Sequence, residues 1–113
     1  MQSDVLGETM KNLFVDIPTN LPEELFEDLV STDSVRVQRI ISRGHTTRDG
    51  DWYDQDTNEF VVLLKGAARL EFRDGRQFEL APGDCLQLPA HKKHRVVWTD
   101  ETIETVWLAV HYA

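Results

Sequence analysis

A single cysteine, Cys85, in 113 residues leaves no partner for an intramolecular disulfide and no thiolate set for a zinc module. The fold must be held by its own core, with Cys85 expected as packing, and the compartment expected is the reducing cytoplasm. Basic residues are scarce too: 12 Lys and Arg stand against 20 Asp and Glu, a formal charge of -8. A surface of that sign repels phosphate backbones and anionic headgroups, which argues against nucleic-acid and membrane-surface partners. No apolar run approaches the roughly 18 residues that span a bilayer. Met1 to Asn12 lacks the basic region and apolar run of an export signal. Internal repeats and low-complexity tracts are also missing. What is present is 41% hydrophobic and 28% charged residues, ordinary usage for one folded domain of this length.

Along the chain, Met1 to Lys11 show no periodicity and read as a loose lead-in. Pro22, Glu23 and Glu24 suit the first turn of a helix, and Leu25, Phe26, Leu29 and Val30 then form one apolar face. The expectation is a short helix within residues 1–34, followed by a β domain over 35–113. From Val35 the pattern turns to period two: Val35–Ser42, Phe60–Lys65, Ala67–Arg73, Gln77–Ala81, Asp84–Leu88, Arg95–Thr99 and Glu104–His111. Asp74-Gly75 and Pro82-Gly83 mark turns between them. Seven short strands without intervening helices imply an antiparallel sandwich or barrel.

In the hairpin around Asp74-Gly75, a two-residue loop would set each apolar residue opposite a polar one. One further loop residue, or a bulge beside Gly75, brings Phe72 opposite Phe78 and Leu70 opposite Leu80, with Glu71 facing Glu79. The strand from Phe60 is apolar on both faces, so both are covered. Its outer residues Phe60, Val62 and Leu64 predict a homodimer.

Two segments are more polar than loops require. Arg48 to Glu59 is rich in oxygen donors, but it lacks the register and flanking helices of a calcium-binding loop. Glu59 opens an apolar strand, and a carboxylate placed there needs a cation, a metal or several donors. Pro89 to Arg95 carries His91 and His94, and imidazole is a common ligand for transition metals. Lys92, Lys93 and Arg95 form a rim able to attract an anion.

Together these segments resemble the two motifs of the small single-domain cupins. The second motif runs Gly, five residues, Pro, one residue, Gly, two residues, His, three residues, Asn. Gly83 and Pro89 fit it, with His91 at the second Gly, His94 at the ligand position and Trp98 at the closing Asn. Of the first motif, Glu59 and Gly66 match the end at the required separation. Its His pair is degenerate, falling on Tyr53 and Gln55 or, with a longer spacer, on Trp52 and Asp54. Strand parity favours Tyr53, Gln55 and Glu59 on one face.

The resemblance implies an all-β, jelly-roll type antiparallel barrel over about Val35 to His111. It also implies one divalent transition metal, Zn, Fe, Mn or Ni, held by Glu59, His94 and Gln55, with Asp54 as the alternative to Gln55. Tyr53 is then the candidate catalytic proton donor, and His91 and Trp98 line the substrate pocket. The function expected is metal binding beside a small-molecule pocket that acts on an oxygenated metabolite. The alternative is a metabolite-binding or sensor module without metal. His111 can turn inward or outward.

Overall fold

A computed structural model describes residues 10–113; the lead-in expected at Met1 to Lys11 lies almost wholly outside the described residues. Eight strands follow one another: β1 (Leu25–Ser31), β2 (Val35–Ser42), β3 (Asn58–Lys65), β4 (Ala68–Phe72), β5 (Gln77–Leu80), β6 (Cys85–Leu88), β7 (His94–Thr99) and β8 (Thr105–Tyr112). They form a five-stranded sheet in the order β1-β2-β8-β3-β6 and a three-stranded sheet in the order β5-β4-β7. Every pairing is antiparallel. The period-two expectation therefore holds, and the described residues contain no helix.

The short helix is the first correction, because Leu25–Ser31 is strand β1 on the edge of β2. Seven residues are too few to offset the cost of helix nucleation, whereas β2 offers a ready row of backbone partners. The helix-like spacing of Leu25, Phe26, Leu29 and Val30 also fits a bulged strand. The register shifts between Asp28 and Val30, which leaves buried Leu29 as the extra residue.

The core lies between the sheets, where Leu63, Leu70, Phe72, Leu80, Leu88 and Trp107 are all buried. The hairpin register differs from expectation by two residues: Leu70 pairs with Phe78 and Ala68 with Leu80. Arg73, Asp74 and Gly75 make a three-residue loop, closed by Phe72 N–H to Arg76 O and by Gly75 N–H to Phe72 O, both 2.9 Å. Gly75 supplies the left-handed φ of 97° that such loops need. A two-residue shift preserves parity, so Phe72 stays buried and meets Phe78 edge-on at 5.2 Å. Glu71 does not face Glu79 as expected. Arg69 pairs with Glu79, and Glu71 is held by Arg95 at 2.8 Å.

Trp98 is a further correction. The β4–β7 register jumps from Arg69↔Trp98 to Leu70↔Val96, so Val97 is an extra residue and parity inverts beyond it. Trp98 turns away from the face of His94 and Val96, lies 38% exposed and packs under the Arg69 guanidinium. Cys85 is exposed rather than packed.

On the outer face of the five-stranded sheet, Arg39 is 0% exposed. It pairs with Glu27 and donates to the carbonyls of Leu13 (3.0 Å), Val15 (2.8 Å) and Asp16 (3.3 Å). This clasp fixes the segment ahead of β1 across the sheet.

Candidate functional site

A cavity of about 220 Å³ opens between the sheets. Alternation along each strand decides what enters it. From β3 come Glu59 and Val61, from β7 His94 and Val96, and from β8 Trp107 and His111. β2 contributes Arg36, Gln38 and Ile40, with Glu24 and Phe26 closing the β1 side. The loop before β3 adds Tyr53 and Gln55.

That loop is tied to β7 by backbone bonds. Tyr53 N–H donates to His94 O at 2.8 Å, and His94 N–H to Tyr53 O at 3.2 Å, so the two rings stack at 5.4 Å. His91 N–H binds Gln55 O at 2.8 Å. Gln55 thereby faces the cavity, while Asp54 turns out to meet the His91 ring at 2.8 Å. His91 is not in the cavity wall. It sits on the rim at φ 64°, a conformation that explains why a glycine suits this motif position.

The four sequence-derived residues that meet are Tyr53, Gln55, Glu59 and His94; His91 and Trp98 stand outside the group. Glu59 and His94 are 7% and 5% exposed. His94 Nδ1 lies 2.9 Å from Lys92 O, which as a pure acceptor requires the proton on Nδ1. His94 Nε2 is then a bare lone pair, 3.9 Å from a Glu59 carboxylate oxygen. Burial pushes the Glu59 carboxyl up to about 7, against a hydrogen bond from Gln55 and the charge of Arg36. Burial also lowers His94, against its bond to Lys92, and so favours neutral imidazole. The Tyr53 phenol is raised by burial and then by the charges of Glu24 and Glu59, while a hydrogen bond with Thr47 opposes the rise.

Sequence reasoning missed Glu24, Arg36 and Gln38. Glu24 Oε2 accepts from the Ser42 hydroxyl, and burial raises its carboxyl against that bond and the His45 charge. Arg36 and Gln38 alternate with Val35 and Val37, so the apolar set reads as the inner face. The structure reverses it. Arg36 and Gln38 thus bring polar groups to the cavity wall.

The protein-family model for the cupin domain (Cupin_2) matches residues 43–111. The chain is a cupin. No curated protein sequence matches it. Among solved structures, a protein described as a putative mannose-6-phosphate isomerase from Ralstonia eutropha is 41% identical. The alignment covers 92% of this chain and 97% of that one, with a TM-score of 0.89. A cupin superfamily protein from Desulfitobacterium hafniense is 21% identical over 97% and 95% of the two chains, with a TM-score of 0.76. The DMSP lyase DddQ from Ruegeria pomeroyi shares the fold at 18% identity, over 73% of this cupin and 40% of that chain, TM-score 0.61.

Cupins commonly hold a metal. The His94 tautomer is that of a metal ligand, with the second nitrogen anchored on a carbonyl. Among the described residues, no third His, Cys, Asp or Glu joins Glu59 and His94. The residues fit a small cation site of two strong donors, with Gln55 as neighbour.

Proposed function

We propose that this cupin binds a small oxygen-rich metabolite beside a divalent transition metal held by Glu59 and His94, with Gln55 orienting the carboxylate or adding its amide oxygen. The carrying observation is the facing pair of buried acceptors, His94 Nε2 and Glu59 Oε1, 3.9 Å apart. A buried carboxylate against a buried lone pair is repulsive unless a cation or a proton joins them. Zinc, iron, manganese and nickel all accept imidazole and carboxylate with water completing the shell. When bound, such an ion supplies Lewis acidity to a ligand oxygen.

The chain's own residues do the rest. Thr47 Oγ1 accepts from Val96 N–H at 3.0 Å, and Tyr53, stacked on His94, lines the cavity as a hydroxyl able to donate to a ligand. Val61, Leu70, Leu88 and Val96 keep bulk water from the inner wall. The substrate in the description of the Ralstonia relative, a phosphorylated sugar, belongs to the oxygen-rich class. A second copy of the chain is assigned to the outer face of the five-stranded sheet. There Phe60 pairs with Val110 and Val62 with Leu108, an uncharged block suited to a twofold contact.

One observation favours a second reading. A Glu59 carboxyl near 7 is partly protonated at neutral pH, and that proton relieves the repulsion without metal. The protein is then a metal-free binding module. Elemental analysis of untagged protein purified without chelator separates the two. Near-stoichiometric metal, lost in His94→Ala with the fold retained by circular dichroism, supports the metal site. No metal, with no thermal stabilisation on adding Zn, Mn, Fe(II) or Ni, overturns it in favour of the binding module.

A further inference from the structure

The wall of the cavity made by β2 and β8 carries polar groups of its own, separate from the Glu59–His94 pair. Arg36 pairs across the strands with His111, and Ile40 with Trp107, all four facing the cavity. Two buried polar atoms in this wall have no partner: Trp107 Nε1, a donor, and His111 Nδ1. Native interiors seldom leave such atoms unmade, because an orphaned buried group is the costly case in hydrogen bonding.

The state of His111 follows from a relay. The Asp28 carboxylate only accepts, and it takes Gln38 Nε2–H at 3.0 Å. Gln38 therefore turns its Oε1 to His111 Nε2, 3.1 Å away, and that nitrogen carries the ring proton. His111 Nδ1 is left as a lone pair that accepts and does not donate. At the exposed lip beside it, Arg36 forms no ion pair among the described residues. Between His111 and Trp107 on β8 stands Ala109, paired with Gln38 of β2, and the two residues stand about 13 Å apart along the strand.

We infer that this wall recognises a small hydroxylated anion, the carboxylate or phosphate ester of a polyol several carbons long. Arg36 takes the anionic oxygens, His111 Nδ1 accepts from a ligand hydroxyl, and Trp107 Nε1–H donates to an oxygen at the far end. Two-carbon acids reach only one end. The inference rests on the cavity being a metabolite site, but it uses none of the proposed metal ligands.

The test is a titration of the ¹⁵N-labelled full chain, following the indole N–H resonances of Trp52, Trp98 and Trp107. The probes are mannose 6-phosphate, gluconate, mannose and inorganic phosphate. One of the two hydroxylated anions is expected to bind and to move the Trp107 resonance while the outward Trp98 stays in place. Preference for mannose 6-phosphate identifies a phosphate ester, and preference for gluconate a carboxylate. Mannose and inorganic phosphate alone bind more weakly. Arg36→Gln, a change at an exposed side chain, weakens the preferred anion by about tenfold to a hundredfold. If neither anion moves the Trp107 resonance, or Arg36→Gln leaves affinity unchanged, the inference is overturned. Metal content of the same samples keeps the two ideas apart. Metal retained without anion binding refutes only this inference, and anion binding without metal refutes only the metal site.

Discussion

Two buried charged groups sit on opposite faces of one sheet and are treated in opposite ways. Arg39, on the outer face, is wholly enclosed and fully satisfied by Glu27 and three backbone carbonyls. Glu59, on the inner face, is nearly as enclosed, yet it looks across at a second acceptor on His94. The first arrangement closes its hydrogen-bonding account within the chain and fixes a segment. The second leaves capacity open, as do the buried atoms of Trp107 and His111 that find no partner. Completeness of pairing thus distinguishes the two faces of the sheet better than burial does.

Substitutions can break or sharpen that contrast. Arg39→Met should have the largest effect, because it leaves the Glu27 carboxylate and three carbonyls without their donor. A loss of about 3–5 kcal/mol by urea denaturation is expected, with ligand binding by the surviving folded protein unchanged. Glu59→Gln should act the other way. The carboxyl is raised from 4.5 to about 7 on folding, so the folded state holds its proton while the unfolded chain has released it. Stability is therefore full below 4.5, falls as pH rises towards 7 and stays reduced above. Removing the ionisation should recover about 3 kcal/mol at pH 8 and flatten the decline between 4.5 and 7, read from denaturation midpoints across pH. If the unliganded wild type shows no such decline, the open account at Glu59 is wrongly drawn.

Gly66→Ala tests a position where backbone geometry rather than polarity is decisive. Gly66 has φ 89°, and an added Cβ would lie 2.7 Å from Thr105 Cα and 2.9 Å from Glu104 O. A loss of about 2 kcal/mol is expected in thermal melts, with the site itself intact. Phe60→Lys should change stability by only roughly 0.5 kcal/mol. It should convert the proposed dimer to monomer in sedimentation velocity, and a wild type already monomeric at high concentration would dismiss the twofold contact.

The strands were legible because alternation survives in a short sequence, and β2 matches its expected bounds residue for residue. What parity alone cannot convey are the bulges. One at Leu29 disguised β1 as a helix face, and one at Val97 turned Trp98 outward. Each adds a residue without any composition signal. In the site, Tyr53, Gln55, Glu59 and His94 were readable because they lie on two short motifs. Glu24, Arg36, Gln38 and His111 converge from strands far apart in the chain. The apolar alternation of Val35 and Val37 pointed the wrong way, since it serves the outer face and not the core. His91 was readable as a motif glycine position, but only its backbone conformation explains why.

The edge strand β1 is bonded on one side only, to β2, yet Phe26 within it and Glu24 just before it wall the cavity. Edge strands lend their amide protons to solvent sooner than strands paired on both sides. β1 is thus the cavity wall expected to exchange its amides first, while β8, paired with both β2 and β3, keeps its deuterium-exchange protection. A bound molecule touching Phe26 or Glu24 would slow exchange selectively along Leu25–Ser31 and leave the protection of β8 as it was.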